Sequence, residues 1–279
     1  MKPIVPIEKL FEVKSDSNTV IVDARGGKDA RERYKREHLE NAVFIDLEKD
    51  LSFKGDPKFG GRHPLPDIEG FTKRLGELGI STASKIFIYD EKTSAMAAAR
   101  FWWMMRDLGH EEVYVINGGL MAAKQAGYTI TDKLPDIVPC ESYLISDYDM
   151  PSARMGEVES ALEAKSCLLI DVREAYRYNG ESEPIDLIAG HIPGAINIPY
   201  TENLDAEGKF LTDNLLKGKY NPLLEKYDAA NIICQCGSGV TACHTILALE
   251  QIGINGVKLY VGSWSEWSRN KMPMITKDE

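Results

Sequence analysis

The sequence repeats one plan twice, and this duplication restricts its fold more than any other feature. Thr19–Arg25 and Cys167–Arg173 are both apolar runs that end in Asp-x-Arg. Three further pairs of segments recur in the same order, beginning at His38 and His191, at Lys85 and Asn231, and at Val113 and Val257. The offset is 144 residues from Val113 to Val257 and 153 from His38 to His191, so duplication explains the pattern better than chance.

Each half alternates short apolar runs with stretches of helical periodicity, for example Ala95–Leu108 and Glu157–Ala164. This alternation predicts an α/β fold with two domains, each a mainly parallel sheet flanked by helices. Residues 131–143 include two prolines and few periodic apolar positions, which indicates a linker. We therefore expect domains over residues 1–130 and 144–279.

Composition excludes several classes of protein. Hydrophobic residues make up 43% of the 279 residues, enough for a sizeable core, and the formal net charge of −10 disfavours nucleic acid and anionic membranes as partners. The chain has no apolar run near the roughly 20 residues of a membrane span, and no signal-peptide core at Met1. Five cysteines, an odd number, argue against a disulfide scaffold. A reducing, cytoplasmic location is expected, with an organelle reached by cleaved targeting as the alternative.

One stretch of the second half carries the reactive chemistry. The run Ile232–Cys234 predicts a buried strand and Ala242–Gln251 predicts a helix, so Cys236 should lie where the strand ends and the helix begins. Gly237 and Gly239 would let the backbone turn tightly there and point its N–H groups inward as an anion nest.

Such a position would favour the thiolate of Cys236 and make it a nucleophile. The simpler interpretation is that Cys236 is a small buried apolar residue. A metal site at Cys234 and Cys236 lacks a second cluster of cysteines or histidines to complete it, so no metal is expected.

The residues Cys236–Ala242, together with Tyr260–Trp267 downstream, resemble the second domain of the tandem-domain rhodaneses. The loop Cys-Gly-Ser-Gly-Val-Thr is similar to that of the 3-mercaptopyruvate sulfurtransferase branch, whereas the thiosulfate branch typically has Arg-Lys in place of Gly237-Ser238. The resemblance implies two rhodanese-like domains, with Cys236 as catalytic residue and Gly237, Gly239, Val240 and Thr241 as substrate-binding residues. The first half has Asp90 at the matching position, so it should be inactive.

The same resemblance implies a Ser-His-acid arrangement of Ser238, His63 and Glu48, with Asp46 as a second choice for the acid. The carboxylate would fix the tautomer of the imidazole, and the imidazole would tune the hydroxyl. The alternatives are that Ser238 is a small turn residue and that His63 is a solvated loop histidine.

Arg177 matches the family's substrate-binding arginine, since it precedes an aromatic residue and a glycine. A guanidinium suits a carboxylate because it can bind both oxygens. The alternative is a surface ion pair with Glu174 or Glu181. The chain departs from the 3-mercaptopyruvate branch at residues 183–186, where Glu-Pro-Ile-Asp has no second arginine.

The resemblance implies covalent transfer of a sulfane sulfur from a small anionic donor, with 3-mercaptopyruvate favoured, through a Cys236 persulfide. The acceptor would be a thiol, cyanide or a thioredoxin-like protein, and no organic cofactor is needed. Two alternatives are a thiosulfate:cyanide sulfurtransferase and a non-catalytic persulfide carrier or regulatory module. A cysteine-dependent phosphatase or arsenate reductase is disfavoured, since those loops are one residue longer and end in arginine.

Overall fold

We analysed a computed structural model of the chain, which describes residues 1–13, 16–141, 143, 148 and 150–277. The chain forms two compact units. The first consists of Met1–Phe53, Pro66–Asp149 and Glu207–Lys209, and the second of Lys54–Leu65, Met150–Ala206 and Phe210–Glu279. The predicted linker, whose residue 142 lies outside the described residues, falls in the first unit. The predicted start of the second domain at residue 144 also lies outside the described residues.

The described part of the first unit contains a parallel sheet. Its strands are β1 (Ile4–Val5), β2 (Thr19–Arg25), β4 (Ala42–Asp46), β5 (Lys85–Tyr89) and β6 (Val113–Ile116), in the order β1-β6-β5-β2-β4. A short antiparallel pair, β3 (His38–Leu39) and β7 (Ile130–Thr131), lies outside this sheet. The central strands are buried along most of their length, as expected for a parallel sheet covered on both faces.

The helices of the first unit are α1 (Glu8–Val13), α2 (Ala30–Arg36), α3 (Ile68–Glu77), α4 (Ala97–Asp107) and α5 (Gly119–Gln125). Helix α4 confirms the prediction over Ala95–Leu108 to within two residues. Its sequence is apolar on nearly every side, and all of its residues except Arg106 are buried. Among the described residues, no helix combines the length and the apolar character that crossing a membrane requires.

The second unit repeats this architecture. Its described strands are β8 (Ser152–Ala153), β9 (Leu168–Asp171), β10 (Ile196–Asn197), β11 (Ile232–Gln235) and β12 (Lys258–Tyr260), all parallel, in the order β10-β9-β11-β12-β8. Its α-helices are α6 (Met155–Glu163), α7 (Ala175–Tyr178), α8 (Asp213–Leu224), α9 (Thr241–Gln251) and α10 (Ser263–Trp267), with short 3₁₀ turns at Tyr200–Asn203 and Ala229–Asn231. Two parallel sheets flanked by helices confirm the predicted fold class.

The repeated Asp-x-Arg motif forms the same buried ion pair in both units. Arg25 Nε lies 2.6 Å from Asp23 Oδ1, and Arg173 Nη2 lies 2.6 Å from Asp171 Oδ2. Each arginine also donates to a backbone carbonyl, so the buried charges are paired and hydrogen-bonded. Because both copies share this geometry, and the first copy lacks the cysteine, the motif belongs to the scaffold.

Candidate active site

Cys236 lies at the carboxyl-terminal end of β11, which is the central strand of the second sheet. Residues 236–240 form the loop, and α9 begins at Thr241, so the predicted order of strand, loop and helix is confirmed. Ligands of open parallel sheets bind at this edge. The residue is buried, with 1% of its surface exposed.

The segment around α10 supports this loop from one side. Trp264 N donates to Cys236 O (3.0 Å) and Ser265 N donates to Gly237 O (2.9 Å). Cys236 N in turn donates to Ser263 Oγ (3.1 Å). The downstream motif Tyr260–Trp267 therefore fixes the path of the cysteine loop by holding its carbonyl groups.

The loop has the geometry that an anion-binding nest requires. In the described part of the chain, no acceptor is found for the backbone N–H groups of Gly237, Ser238 and Val240. Gly239 has φ +71°, and a Cβ placed there would lie 2.4 Å from Val261 O, so only glycine fits. Because N–H groups of α10 hold the carbonyl groups of the loop, the unpaired N–H groups of the loop are available to bind an anion.

The structure brings His63 and Ser238 together. His63 Nδ1 lies 2.7 Å from Ser238 Oγ, within hydrogen-bonding distance, and both residues belong to the second unit. The sequence places His63 in the first half of the chain, but Lys54–Leu65 is part of the second compact unit.

Close backbone packing holds the segment that carries His63. Arg62 N donates to Ser265 Oγ (3.0 Å). Gly61 has φ +79°, and a Cβ there would lie 2.3 Å from Gly262 O, so a side chain at this position would push the segment away. The Gly-Gly pair before Arg62 thus allows residues 62 and 63 to reach the cysteine loop.

Glu48 belongs to the first unit. Its Oε1 accepts a hydrogen bond from Gly27 N (2.8 Å), and its own N–H donates to Asp46 Oδ1 (3.0 Å). Burial raises the pKa of Glu48. Its assignment as the acid that orients His63 stays a prediction.

Arg177 is a buried cation, 6% exposed, on the short helix α7. Its Nη2 lies 2.8 Å from Glu183 Oε1, and its Nη1 lies 3.5 Å from Glu174 Oε2. The ion pair with Glu174 that the sequence offered as an alternative is present, but the guanidinium is buried and Glu183 is its closer partner.

Arg62 is a residue of this site that sequence reasoning missed. Its Nε lies 2.9 Å from Asp186 Oδ1. A Cβ built on Gly237 would lie 2.9 Å from Arg62 Nη2 and 3.2 Å from Arg177 Nη2, so two guanidinium groups lie beside the residue that follows Cys236. The sequence carries no local signal for this contact, because 124 positions separate Arg62 from Asp186.

In the first unit, Asp90 occupies the position that matches Cys236, and its carboxylate binds the backbone of the loop that follows it. Its Oδ1 accepts hydrogen bonds from Lys92 N and Ser94 N, both at 2.9 Å, and its Oδ2 accepts one from Met96 N at 3.3 Å. The carboxylate thus fills the anion position that backbone N–H groups create at a strand-to-helix turn. Asp90 supplies no thiol at this turn, and its carboxylate already accepts the hydrogen bonds of these three backbone N–H groups.

Each of the five cysteines is a free thiol. Burial raises the pKa of the Cys234 thiol. A raised pKa disfavours the thiolate, so Cys234 is a poor candidate for the nucleophile. Across the described ranges of the chain, no three His, Cys, Asp or Glu side chains gather as they would around a metal ion.

Comparison with known proteins gives one consistent family. The family model of the rhodanese-like domain matches residues 8–126 and 155–270. A protein of Pseudomonas aeruginosa named probable 3-mercaptopyruvate sulfurtransferase is 38% identical over 88% of this chain and 86% of its own length.

Solved structures give the same result. The 3-mercaptopyruvate sulfurtransferase of Leishmania major matches with a TM-score of 0.83 and 30% identity over 96% of this chain and 74% of that one. The Escherichia coli protein SseA, described as a 3-mercaptopyruvate sulfotransferase of rhodanese fold, matches with a TM-score of 0.80 and 32% identity. That match covers 95% of this chain and all of SseA.

Proposed function

Because this chain belongs to the rhodanese family, we propose that it is a sulfurtransferase that uses 3-mercaptopyruvate as its donor and carries the sulfur as a persulfide on Cys236. The observation that carries this proposal is the hydrogen-bonding distance of 2.7 Å between His63 and Ser238 beside the cysteine loop. A hydroxyl and an imidazole beside the nucleophile suit a donor whose departure needs proton transfer.

The first half-reaction moves one sulfur atom to the enzyme. The Cys236 thiolate attacks the sulfur of 3-mercaptopyruvate, forming an S–S bond. The bond between that sulfur and C3 breaks, and its electron pair leaves on C3 as the enolate of pyruvate. Unpaired N–H groups in the loop support the proposal, since they could stabilise the negative charge of the persulfide.

Protonation of the enolate is the role proposed for Ser238 and His63. The donor's thiol proton would pass to C3 through the Ser238 hydroxyl, with the His63 imidazole accepting and returning it. Glu48 is the proposed acid that fixes the orientation of the imidazole, as in other Ser-His-acid arrangements. The products of this half-reaction are pyruvate and the Cys236 persulfide.

Arg177 is the proposed anchor for the donor's carboxylate. Its burial strengthens a charge-assisted hydrogen bond, because little water competes for the guanidinium. Gly237, Gly239, Val240 and Thr241, the other residues of the loop and the start of α9, are the further residues proposed to bind the donor.

In the second half-reaction, an acceptor takes the outer sulfur. A thiolate, cyanide or a thioredoxin-like protein attacks it, the S–S bond breaks, and Cys236 returns as thiolate. A reducing compartment, with the cytoplasm as the proposed one, fits the five free thiols.

Thiosulfate is the second candidate donor. The two guanidinium groups beside Gly237 would also attract its charge, and its leaving group, sulfite, needs no proton. Thiocyanate formation from each donor with cyanide separates the two candidates. We expect kcat/KM to favour 3-mercaptopyruvate and to vanish in Cys236→Ser, whereas a preference for thiosulfate would contradict the proposed donor.

A further inference from the structure

The first unit, which has Asp90 in place of Cys236, contains a cavity of its own. This cavity has a volume of about 180 Å³ and lies between α2, α3, strand β4 and the segment that follows β7. Its floor is aromatic, because Tyr34 and Phe44 line it with ring centroids 5.0 Å apart. An apolar cavity of about 150 Å³ is large enough to hold benzene, so this one has room for a single six-membered ring with a small substituent.

The segment that follows β7 forms a fixed wall of this cavity. At its start, His38 Nε2 lies 3.1 Å from Lys133 O. At its end, Cys140 N donates to Gly76 O (2.9 Å). Because both ends of the wall are held by the folded unit, a ligand would not have to order this segment on binding, and that lowers the cost of binding.

The mouth of the cavity combines apolar and cationic side chains. Leu134 and Ile137 line it and are 58% and 40% exposed, and exposed apolar side chains grouped in this way are typical of a ligand-binding groove. Arg31 and Lys35 come from successive turns of α2, and Arg74 comes from α3. In a chain with a net charge of −10, a cavity whose described lining contains three cations and no acid is suited to an anion.

Arg31 is the cation best placed to bind that anion. No carboxylate of the described residues lies within 4.0 Å of its guanidinium. In contrast, Arg74 Nε lies 3.3 Å from Asp50 Oδ1, and Lys35 Nζ lies 2.9 Å from Glu32 Oε1. The pair of Lys35 and Glu32 is exposed, so it is weak, and the ammonium group is available to a bound carboxylate.

The second unit provides an internal comparison. Asp23 of β2 pairs with Phe44 of β4, and Asp171 of β9 pairs with Asn197 of β10 at the equivalent position. Because the second unit has an amide where the first has a ring, the aromatic floor is specific to the first unit.

We propose that this cavity is a binding site for a small aromatic carboxylate, whose ring packs against Tyr34 and Phe44 while Arg31 and Lys35 bind its carboxylate. The volume selects a single ring over a long acyl chain, and the cations select an acid over an alcohol. The proposal does not depend on sulfur transfer, and it gives a ligand-binding role to the half of the chain that lacks the cysteine.

Calorimetry with three probes tests this proposal. Benzoate has both the ring and the charge, benzyl alcohol has only the ring, and acetate has only the charge. We expect benzoate to bind, and the other two probes to bind at least about 10-fold more weakly. Arg31→Gln should raise Kd for benzoate by about 10-fold, the loss expected for one charge-assisted hydrogen bond at a partly exposed site.

Two further variants show where the probe binds. Arg36→Gln, at an exposed residue of α2 that does not line the cavity, is the control for loss of a positive charge and should leave Kd for benzoate unchanged. Arg177→Gln should leave it unchanged as well. Loss of binding in Arg177→Gln with an unchanged Kd in Arg31→Gln would place the probe at the cysteine loop and overturn the proposal. Absence of binding at about 10 mM benzoate would overturn it too.

Discussion

His63 Nδ1 lies 2.7 Å from Ser238 Oγ, although 175 positions separate the two residues in the chain. If this pair moves a proton to the leaving enolate, Ser238→Ala should lower kcat for 3-mercaptopyruvate by about 10²- to 10⁴-fold. Turnover of thiosulfate should change far less, because sulfite leaves without a proton. Steady-state rates of thiocyanate formation with the two donors measure both effects.

The double variant Ser238→Ala/His63→Gln provides the control for this prediction. Residues that act as a unit are strongly non-additive, so the double variant should be about as slow as the slower single variant. Multiplicative losses would show that the two side chains act independently.

Gly237 and Gly239 should respond differently to replacement by alanine. At Gly237 the new Cβ would meet the flexible end of Arg62, so Gly237→Ala should fold normally but displace that guanidinium and raise KM for 3-mercaptopyruvate. At Gly239 the new Cβ would meet the backbone of Val261, and φ is +71°, so Gly239→Ala should disrupt the loop itself.

Thermal unfolding and steady-state kinetics on the same preparations separate the two cases. Gly218→Ala, where nothing lies within 4 Å of the new Cβ, is the matched control and should change neither property for the worse. An unchanged KM in Gly237→Ala would mean that Arg62 adjusts without loss of binding.

Asp90 should matter for the stability of the first unit and not for catalysis. Asp90→Ala leaves three backbone N–H groups without their acceptor, so the free energy of unfolding should fall by about 1–3 kcal/mol or more. Chemical denaturation measures this loss, with Asp132→Ala, an exposed residue of the same unit, as control. Equal stability of the two variants would contradict a stabilising role for the hydrogen bonds that Asp90 accepts from its loop.

His244 should make the second unit sensitive to acid. It is fully buried on α9, stacked against Phe210 at 4.2 Å, and burial lowers its pKa from 6.5 to about 3. A depressed histidine pKa means that the fold favours the neutral ring. The associated stability is present above pH 6.5 and is lost as pH falls from 6.5 towards 3.

His244→Leu removes this titration, so its free energy of unfolding should fall less than that of the wild type between pH 7 and pH 5. The expected difference is about 2 kcal/mol, because each pH unit below 6.5 costs about 1.4 kcal/mol. Denaturant unfolding at the two pH values measures it, and identical acid-side slopes would show that His244 does not control this loss.

Much of the fold follows from local sequence patterns. Strand β2 covers the same residues as the first apolar run of the repeat, Thr19–Arg25, because a parallel strand buried on both faces reads as a continuous apolar segment. The position of Cys236 also follows from local pattern, since a strand, a glycine loop and a helix occur in direct succession.

The contact between Arg62 and Asp186 could not be predicted in the same way. Arg62 and Asp186 are 124 positions apart and have no shared periodicity or motif, so nothing local indicates that they pair. Their contact depends on Gly61 approaching Gly262 O closely, which is a property of tertiary packing. Likewise, the assignment of Lys54–Leu65 to the second unit follows from contacts that chain order does not reveal.

The most direct test of the account is the state of Cys236 after a single turnover. Wild-type protein mixed with 3-mercaptopyruvate, without acceptor, should release one equivalent of pyruvate and gain the mass of one sulfur atom on the peptide that contains Cys236. Cyanide should then remove that sulfur as thiocyanate, and Cys236→Ser should show none of these changes. Pyruvate release without added sulfur on Cys236 would contradict the account. So would a persulfide that forms with thiosulfate but not with 3-mercaptopyruvate.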